Sequence, residues 1–246
     1  DYLRILRFLR FSIHYRSFEI NSNIQKIIKL NLNGIKQLSK ERIYSELEKI
    51  IKLKNFYELF QNDFLVDIFN LIFPEFIHLD RIKSLEKLSK NSNIHMDKDL
   101  IFAAMLLDFS ENYKYFFHKY NVSNETKDNL NLYSKILKNI KSNKFFFTND
   151  LKMNIFFYGK EKIKKIFIIK NIINKKSFSS KSKEILSKIE QTFIPKFPVT
   201  GNDLLKQGVK SGKEVGTILK KIEKKWIENN FQISSEDIKI LLKKNI

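Results

Sequence analysis

The sequence predicts an all-α protein built as an array of short antiparallel helices, and three observations carry that prediction. Only six Gly and three Pro interrupt 246 residues, so few positions break a helix. Apolar residues recur every three or four positions instead of alternating, which is the period of a helix face and not of a strand. The intervening segments are short and rich in Asn and Ser, and short connections make consecutive helices antiparallel neighbours.

The first helix opens the chain at Asp1-Tyr2-Leu3-Arg4-Ile5-Leu6-Arg7-Phe8-Leu9-Arg10-Phe11. A second strong signal runs from Ser39 to Leu53. Ser39 is a natural N-cap there, Glu41 suits the dipole in the first turn, and Ile43, Leu47 and Ile50 form the stripe to be buried. Lys98 to Phe109, Asn129 to Ile140 and Glu161 to Ile173 carry the same period. Lys213 to Glu228 closes the series, with Val215, Ile218, Ile222 and Trp226 on one face. Gly201, Gly208, Gly212 and Gly216 are clustered, and Pro195 and Pro198 precede them. A hinge is therefore expected near residues 192–200, with a tail module beyond it.

Forty-six Lys and Arg against 27 Asp and Glu give a formal charge of +19, more than solubility requires, which points to a polyanionic partner. The absence of Cys excludes disulfides, thiolate zinc sites and Cys nucleophiles together. A hydrophobic content of 43% excludes a disordered basic tail. No stretch approaches ~18 uncharged apolar residues, and the lysines spread over many helices, so a cytoplasmic protein with no membrane partner is expected. Opening on Asp1 instead of Met, the chain reads as a fragment of a longer one.

Lys, Asn, Ile and Phe are abundant in the manner of an A+T-rich coding bias, so lysine by itself is weak evidence. Arginine is more informative. Of six arginines, Arg4, Arg7, Arg10 and Arg16 lie in the first sixteen residues, with Arg42 in the next strong helix and Arg81 alone. Where so lysine-rich a chain still uses Arg, the planar fork of donors is the property wanted. Asp1, Arg4, Arg7 and Arg10 stand three apart and form one drifting row along a helix. With Ile5, Leu6, Phe8 and Leu9 on its other sides, that helix is expected to be buried. Its guanidinium groups then need either a ligand or acidic neighbours.

The segment Asp1-x-Leu3-Arg4-Ile5-Leu6-Arg7-x-x-Arg10-Phe11 resembles the signature that closes the nucleotide pocket of class II nucleotidyltransferases, the CCA-adding enzymes and bacterial poly(A) polymerases. Tyr2 stands where Pro is common in that family, and Phe8 where Ala is common. Leu38 to Ile50 is similar to a later motif of the same family, Ser-x-Glu-Arg-Ile-x-x-Glu-Leu-x-Lys-Ile. Phe197 to Gly216 resembles the tail of some members, Pro-x-Thr-Gly-x-Asp-Leu followed by Gly-Val-x-x-Gly-x-x-Val-Gly. A looser likeness covers Leu65 to Glu75.

The resemblance implies a neck over residues 1–75, a body over 76–192 and a tail over 193–246. It implies that Asp1 and Arg4 read the base of CTP or ATP, that Arg7 and Arg10 contact the nucleotide, and that Ser39, Glu41 and Arg42 brace the site. A carboxylate accepting from an exocyclic amine beside a guanidinium donating to ring acceptors does match a Watson–Crick edge. In the tail, Gly208, Lys210, Gly212 and Lys213 would hold tRNA backbone phosphate. The implied activity is addition of CCA to tRNA 3′ ends. Poly(A) synthesis, or a non-catalytic RNA-binding role, stands as the alternative.

Nucleotidyl transfer in this family depends on a head domain with a Gly-rich loop and an Asp-x-Asp pair that binds Mg²⁺. No such domain is spelled here, so the resemblance implies that it is supplied in cis or in trans, and that this chain alone is inactive. Asp97-Lys98-Asp99 has the right letters but no preceding Gly-Ser strand, and reads as a helix cap and first turn. Gly208 to Lys213 is not a Walker A loop: three residues, not four, separate the glycines, and no Ser or Thr follows the Lys. None of His14, His78, His95 and His118 precedes an Asp, so no His-Asp metal motif is expected. Most of the 23 Phe must be core, although Phe116-Phe117 and Phe145-Phe146-Phe147 are conceivable base-stacking rings.

Overall fold

A computed structural model of the chain describes residues 1–92, 95–175, 178–209 and 212–243. The described residues form helices and no strand. In chain order these are α1 (Leu3–Tyr15), α2 (Ser22–Asn31), a 3₁₀ helix (Leu32–Gln37), α3 (Lys40–Ile51), a second 3₁₀ helix (Phe56–Gln61) and α4 (Asp63–Ile72). Next come α5 (Arg81–Ser92), α6 (Lys98–Leu106), α7 (Tyr113–Lys119), α8 (Asn124–Ser142), α9 (Leu151–Tyr158) and α10 (Lys160–Ile173). The last four are α11 (Ser180–Gln191), α12 (Gly201–Lys206), α13 (Lys213–Glu228) and α14 (Ser235–Lys243). None of the described helices is long and apolar enough to cross a membrane.

The chain divides into two compact units, one of residues 1–143 and 165–183, the other of residues 144–164 and 184–246. In the first unit α1 packs on α3 through Leu6, Leu9 and Ile13 on one side and Leu47, Ile50 and Ile51 on the other, all fully buried. Caps set the helix starts as the sequence suggests. Ser39 Oγ accepts from the Arg42 amide at 3.4 Å, and Asp97 Oδ1 accepts from the Leu100 amide at 2.9 Å. Each such cap is worth about 1 kcal/mol.

Phenylalanine fills the core beneath. Phe69, Phe73, Phe76, Phe102 and Phe116 are buried and touch in series, with ring centroids 5.0 Å apart for Phe69–Phe73 and 5.2 Å for Phe102–Phe116. Helix α6 packs against both α5 and α8, so every residue from Asp99 to Leu106 is buried. The one charged residue in that buried run, Asp99, accepts from Thr126 Oγ1 at 3.2 Å and Asn129 Nδ2 at 2.7 Å. Arg81 donates from Nη1 to the carbonyls of Ala104 (3.1 Å) and Leu107 (2.7 Å), closing the C-terminal end of α6. Both bonds come from the one Nη1 amino group, whose two N–H donors are held in the guanidinium plane.

In the second unit no helix covers residues 192–200. Thr200 and Asp203 then form a reciprocal capping box that starts α12. Val199, Leu204, Val209, Ile218, Ile222 and Leu242 make its core. Trp226 is buried among Phe156 (5.8 Å), Phe197 (5.2 Å) and Phe231 (4.9 Å). Phe156 lies on α9, which explains why residues 144–164 group with the tail residues.

Candidate functional site

The arginine row sits on a helix with two faces. Positions 3, 5, 6, 9, 12 and 13 of α1 are buried, while Arg4 and Arg7 are exposed. The expectation that this helix is buried on most sides is therefore corrected. Leu6, Leu9 and Ile13 turn toward α3, and the guanidinium groups at 4 and 7 turn toward water, because a 100° step per residue places them on the opposite side. Arg4 and Arg7 have no salt-bridge partner among the described residues, so their donors are unspent.

The other two members of the row are engaged. Arg10 Nε donates to Glu46 Oε2 at 3.0 Å, and Glu46 on α3 is itself buried. Lys49 bonds the same carboxylate at 2.8 Å. Burial pushes the Glu46 carboxyl up, but its bonds to Lys49 and Arg10 outweigh that and hold it below the usual Glu value. Asp1 Oδ1 accepts from the Leu3 amide at 3.1 Å, fixing the entry to α1, and Asp1 Oδ2 accepts from Arg42 Nη2 at 3.2 Å. The sequence named Arg42 as a brace, and it lies directly against Asp1. The partnership of Arg10 with Glu46 had no sequence signal, since 36 residues separate them.

Two further details position the row. A Cβ on buried Gly34 would lie 2.1 Å from Tyr2 Cε1, so the Tyr2 ring rests directly on that backbone at the entry to α1. At the exit, Arg16 adopts φ 55. The Arg16 amide donates to the Ile13 carbonyl and the Ser17 amide to the Ser12 carbonyl at 3.0 Å, a left-handed helix termination. Arg16 Nη2 also meets Glu58 Oε1 at 2.8 Å.

In the tail, Gly208 (φ 88) and Gly212 (φ 108) both take left-handed backbone, which glycine adopts at low cost. They bracket the connection from α12 to α13. Gly212 caps α13 with no side-chain bond to its first amides, and Lys213 is exposed in the first turn. Lys210 lies outside the described residues. Three cavities of about 590, 670 and 680 Å³ occur in the first unit, and none is lined by Asp1, Arg4, Arg7 or Arg10.

The residues present do not fit Mg²⁺. No group of three His, Asp or Glu side chains converges among the described residues. Asp97 is spent as a helix cap and as the partner of Lys165, and Asp99 is buried against Thr126 and Asn129. Of the rings considered for stacking, Phe116, Phe146 and Phe147 are buried. His78 Nε2 lies 3.7 Å from Asp108 Oδ2, and Asp108 Oδ1 accepts from the Ser110 amide at 2.9 Å and hydroxyl at 2.5 Å, so that carboxylate is engaged locally.

Residues 94–241 match the protein-family model described as "tRNA nucleotidyltransferase domain 2", and residues 17–79 match "Probable RNA and SrmB- binding site of polymerase A". The chain is 28% identical over 258 residues to the Homo sapiens CCA tRNA nucleotidyltransferase 1, mitochondrial, covering 99% of this chain and 55% of that protein. It is 27% identical over 256 residues to the CCA-adding enzyme of Staphylococcus haemolyticus, covering 100% of this chain and 61% of the other. The Thermotoga maritima CCA-adding enzyme complexed with tRNA superposes with a TM-score of 0.61 at 19% identity, over 99% of this chain and 61% of that one. A CCA-adding enzyme complexed with CTP superposes at 0.59 and 19% identity, over 99% and 59%. The chain thus spans between half and two thirds of the length of these relatives, and the structures share its fold. With more than half its residues inside one family model, the chain belongs to the tRNA nucleotidyltransferase family.

Proposed function

We propose that this chain is the nucleotide-selecting and tRNA-binding portion of a CCA-adding tRNA nucleotidyltransferase. The supporting observation is the solvent-facing pair Arg4 and Arg7 beside Asp1. A carboxylate and two unspent guanidinium groups on one rigid helix offer the acceptor and donors that a cytosine or adenine edge requires. Arg42, paired to Asp1, and Glu46, paired to Arg10, keep those groups in place. In this reading Asp1 and Arg4 read the base of CTP or ATP, and Arg7 and Arg10 contact the nucleotide.

Gly208, Gly212, Lys213 and Lys210 contact tRNA backbone, with the bare amides at the start of α13 serving as phosphate donors. Mg²⁺ and the triphosphate-holding loop belong to a head domain in cis or in trans, so this chain alone transfers no nucleotide. Neck (1–75), body (76–192) and tail (193–246) remain our division by role. A cytoplasmic setting is part of the same proposal.

The deciding experiment measures CTP and ATP binding, and separately tRNA binding, for the chain and for Arg4→Glu. Loss of nucleotide binding by the variant with tRNA binding retained supports the proposal. Equal nucleotide binding by both, or none by the unaltered chain, overturns it. The match of residues 17–79 to a polymerase A model favours a second reading, a poly(A) polymerase. Incorporation of AMP without prior CMP on a trimmed tRNA, by the chain together with its head domain, would select that reading.

A further inference from the structure

The exposed stripe of α1 does not end with its arginines. At 100° per residue, positions 4, 7, 11, 14 and 15 share one side, and aromatic rings follow the arginines along it. Phe11 is 43% exposed and Tyr15 70%. Their rings lie 5.9 Å apart at 27°, nearly parallel, one turn apart on the helix. The His14 ring meets Tyr15 edge-on at 4.7 Å. The Arg10 guanidinium carbon sits 4.3 Å from the Phe11 centroid, held there by its bond to buried Glu46.

We propose that Phe11, His14 and Tyr15 form a stacking platform for one unpaired base of a single-stranded RNA. The inference deepens the functional reading above and rests on its RNA partner. Three rings facing water on a helix with ample buried surface elsewhere are not explained by packing among the described residues. Guanidinium groups followed by aromatic faces along one line suit single-stranded nucleic acid, phosphates on the cations and bases on the rings. Charge settles the class of occupant: Arg4 and Arg7 at the other end of the stripe suit a polyanion and disfavour an uncharged apolar partner.

Distance settles its source. A rise of ~1.5 Å per residue puts Tyr15 about 16 Å along the axis from Arg4. A base whose edge is read at Asp1 and Arg4 does not also reach Tyr15, so the platform takes the base of a different nucleotide, one belonging to the RNA strand. Arg10 lies over one face of Phe11, and Tyr15 is the more exposed ring.

The test titrates a short single-stranded RNA, and a set of the same RNA with one base at a time removed to leave an abasic sugar, against the chain, Tyr15→Ala and Tyr15→Phe. Tyr15→Ala weakens binding of the intact RNA about 10-fold, as loss of one stacked base does, while Tyr15→Phe binds like the unaltered chain. On the RNA abasic at the seated position, Tyr15→Ala causes no further loss. The salt dependence of binding is the same for all three proteins, since no phosphate contact is removed. Salt-dependent RNA binding that Tyr15→Ala leaves unchanged, or weakens equally on every abasic RNA, overturns the platform and leaves the RNA reading standing. Failure of the unaltered chain to bind any RNA overturns both.

Discussion

Arg10 on α1 and Glu46 on α3 meet at 3.0 Å, and this pair locks the row of arginines to the helix behind it. Glu46 is buried and Arg10 largely covered, so removing either partner leaves a poorly hydrated charge and costs more than breaking a surface pair. The same contact fixes Arg10 over Phe11, linking the arginine and aromatic halves of the exposed stripe.

Glu46→Ala is expected to lower stability by about 2–3 kcal/mol, toward the low end for a broken buried pair because Arg10 and Lys49 keep some contact with water. Urea denaturation followed by circular dichroism measures it. Acid should act in the same direction. The carboxyls of Glu46 and Glu48 both lie below the ordinary Glu value: burial raises each, but cationic neighbours, Lys49 and Arg10 for Glu46 and Lys98 and Lys52 for Glu48, outweigh it. A depressed carboxyl stabilises the fold above its unfolded value and ceases to do so as pH falls through its folded value. The urea midpoint should therefore hold steady down to about pH 5 and decline below it, and Glu46→Gln should flatten that decline.

Gly34→Ala places a methyl group inside the space of the Tyr2 ring. Displacing that ring should cost about 1–3 kcal/mol, the usual range for overpacking, seen as a lower thermal midpoint. Adding Tyr2→Ala should recover most of the loss. A double variant no more stable than Gly34→Ala alone would mean that backbone and not ring contact sets the requirement.

Arg81→Lys keeps the charge but exchanges the planar Nη1 amino group, which donates to both the Ala104 and Leu107 carbonyls, for an ammonium on a shorter side chain. A loss of about 1–2 kcal/mol is expected, comparable to one or two hydrogen bonds to a charged group. Equal urea midpoints for the two proteins would show that an ammonium can close α6 as well.

Trp226 is the chain's single tryptophan, so its fluorescence reports on the second unit. Phe156 is half-buried, so Phe156→Ala, which opens space against the Trp226 ring, should lower the stability read by fluorescence in urea by about 1–2 kcal/mol, less than loss of a core Phe costs, with redder emission before unfolding. An unmoved midpoint would show that α9 adds nothing to the tryptophan's packing.

The helical class and several boundaries are written in local patterns. Lys213 to Glu228 was read to the residue, and Ser39 and Asp97 were recognisable as caps, because periodicity and capping involve residues only a few positions apart. The row Asp1, Arg4, Arg7 and Arg10 was equally visible, and so was the family it resembles.

Its surroundings were not. Which side of α1 is buried depends on where α3 packs. The pairing of Arg10 with Glu46, the position of Arg42 against Asp1 and the contact of Phe156 with Trp226 join residues 36, 41 and 70 positions apart. A sequence fixes which side chains share a helix face, since the helix itself sets that geometry. Which faces then meet is decided by the packing of whole helices, and that packing gave Arg10 a carboxylate and left Arg4, Arg7, Phe11 and Tyr15 facing water.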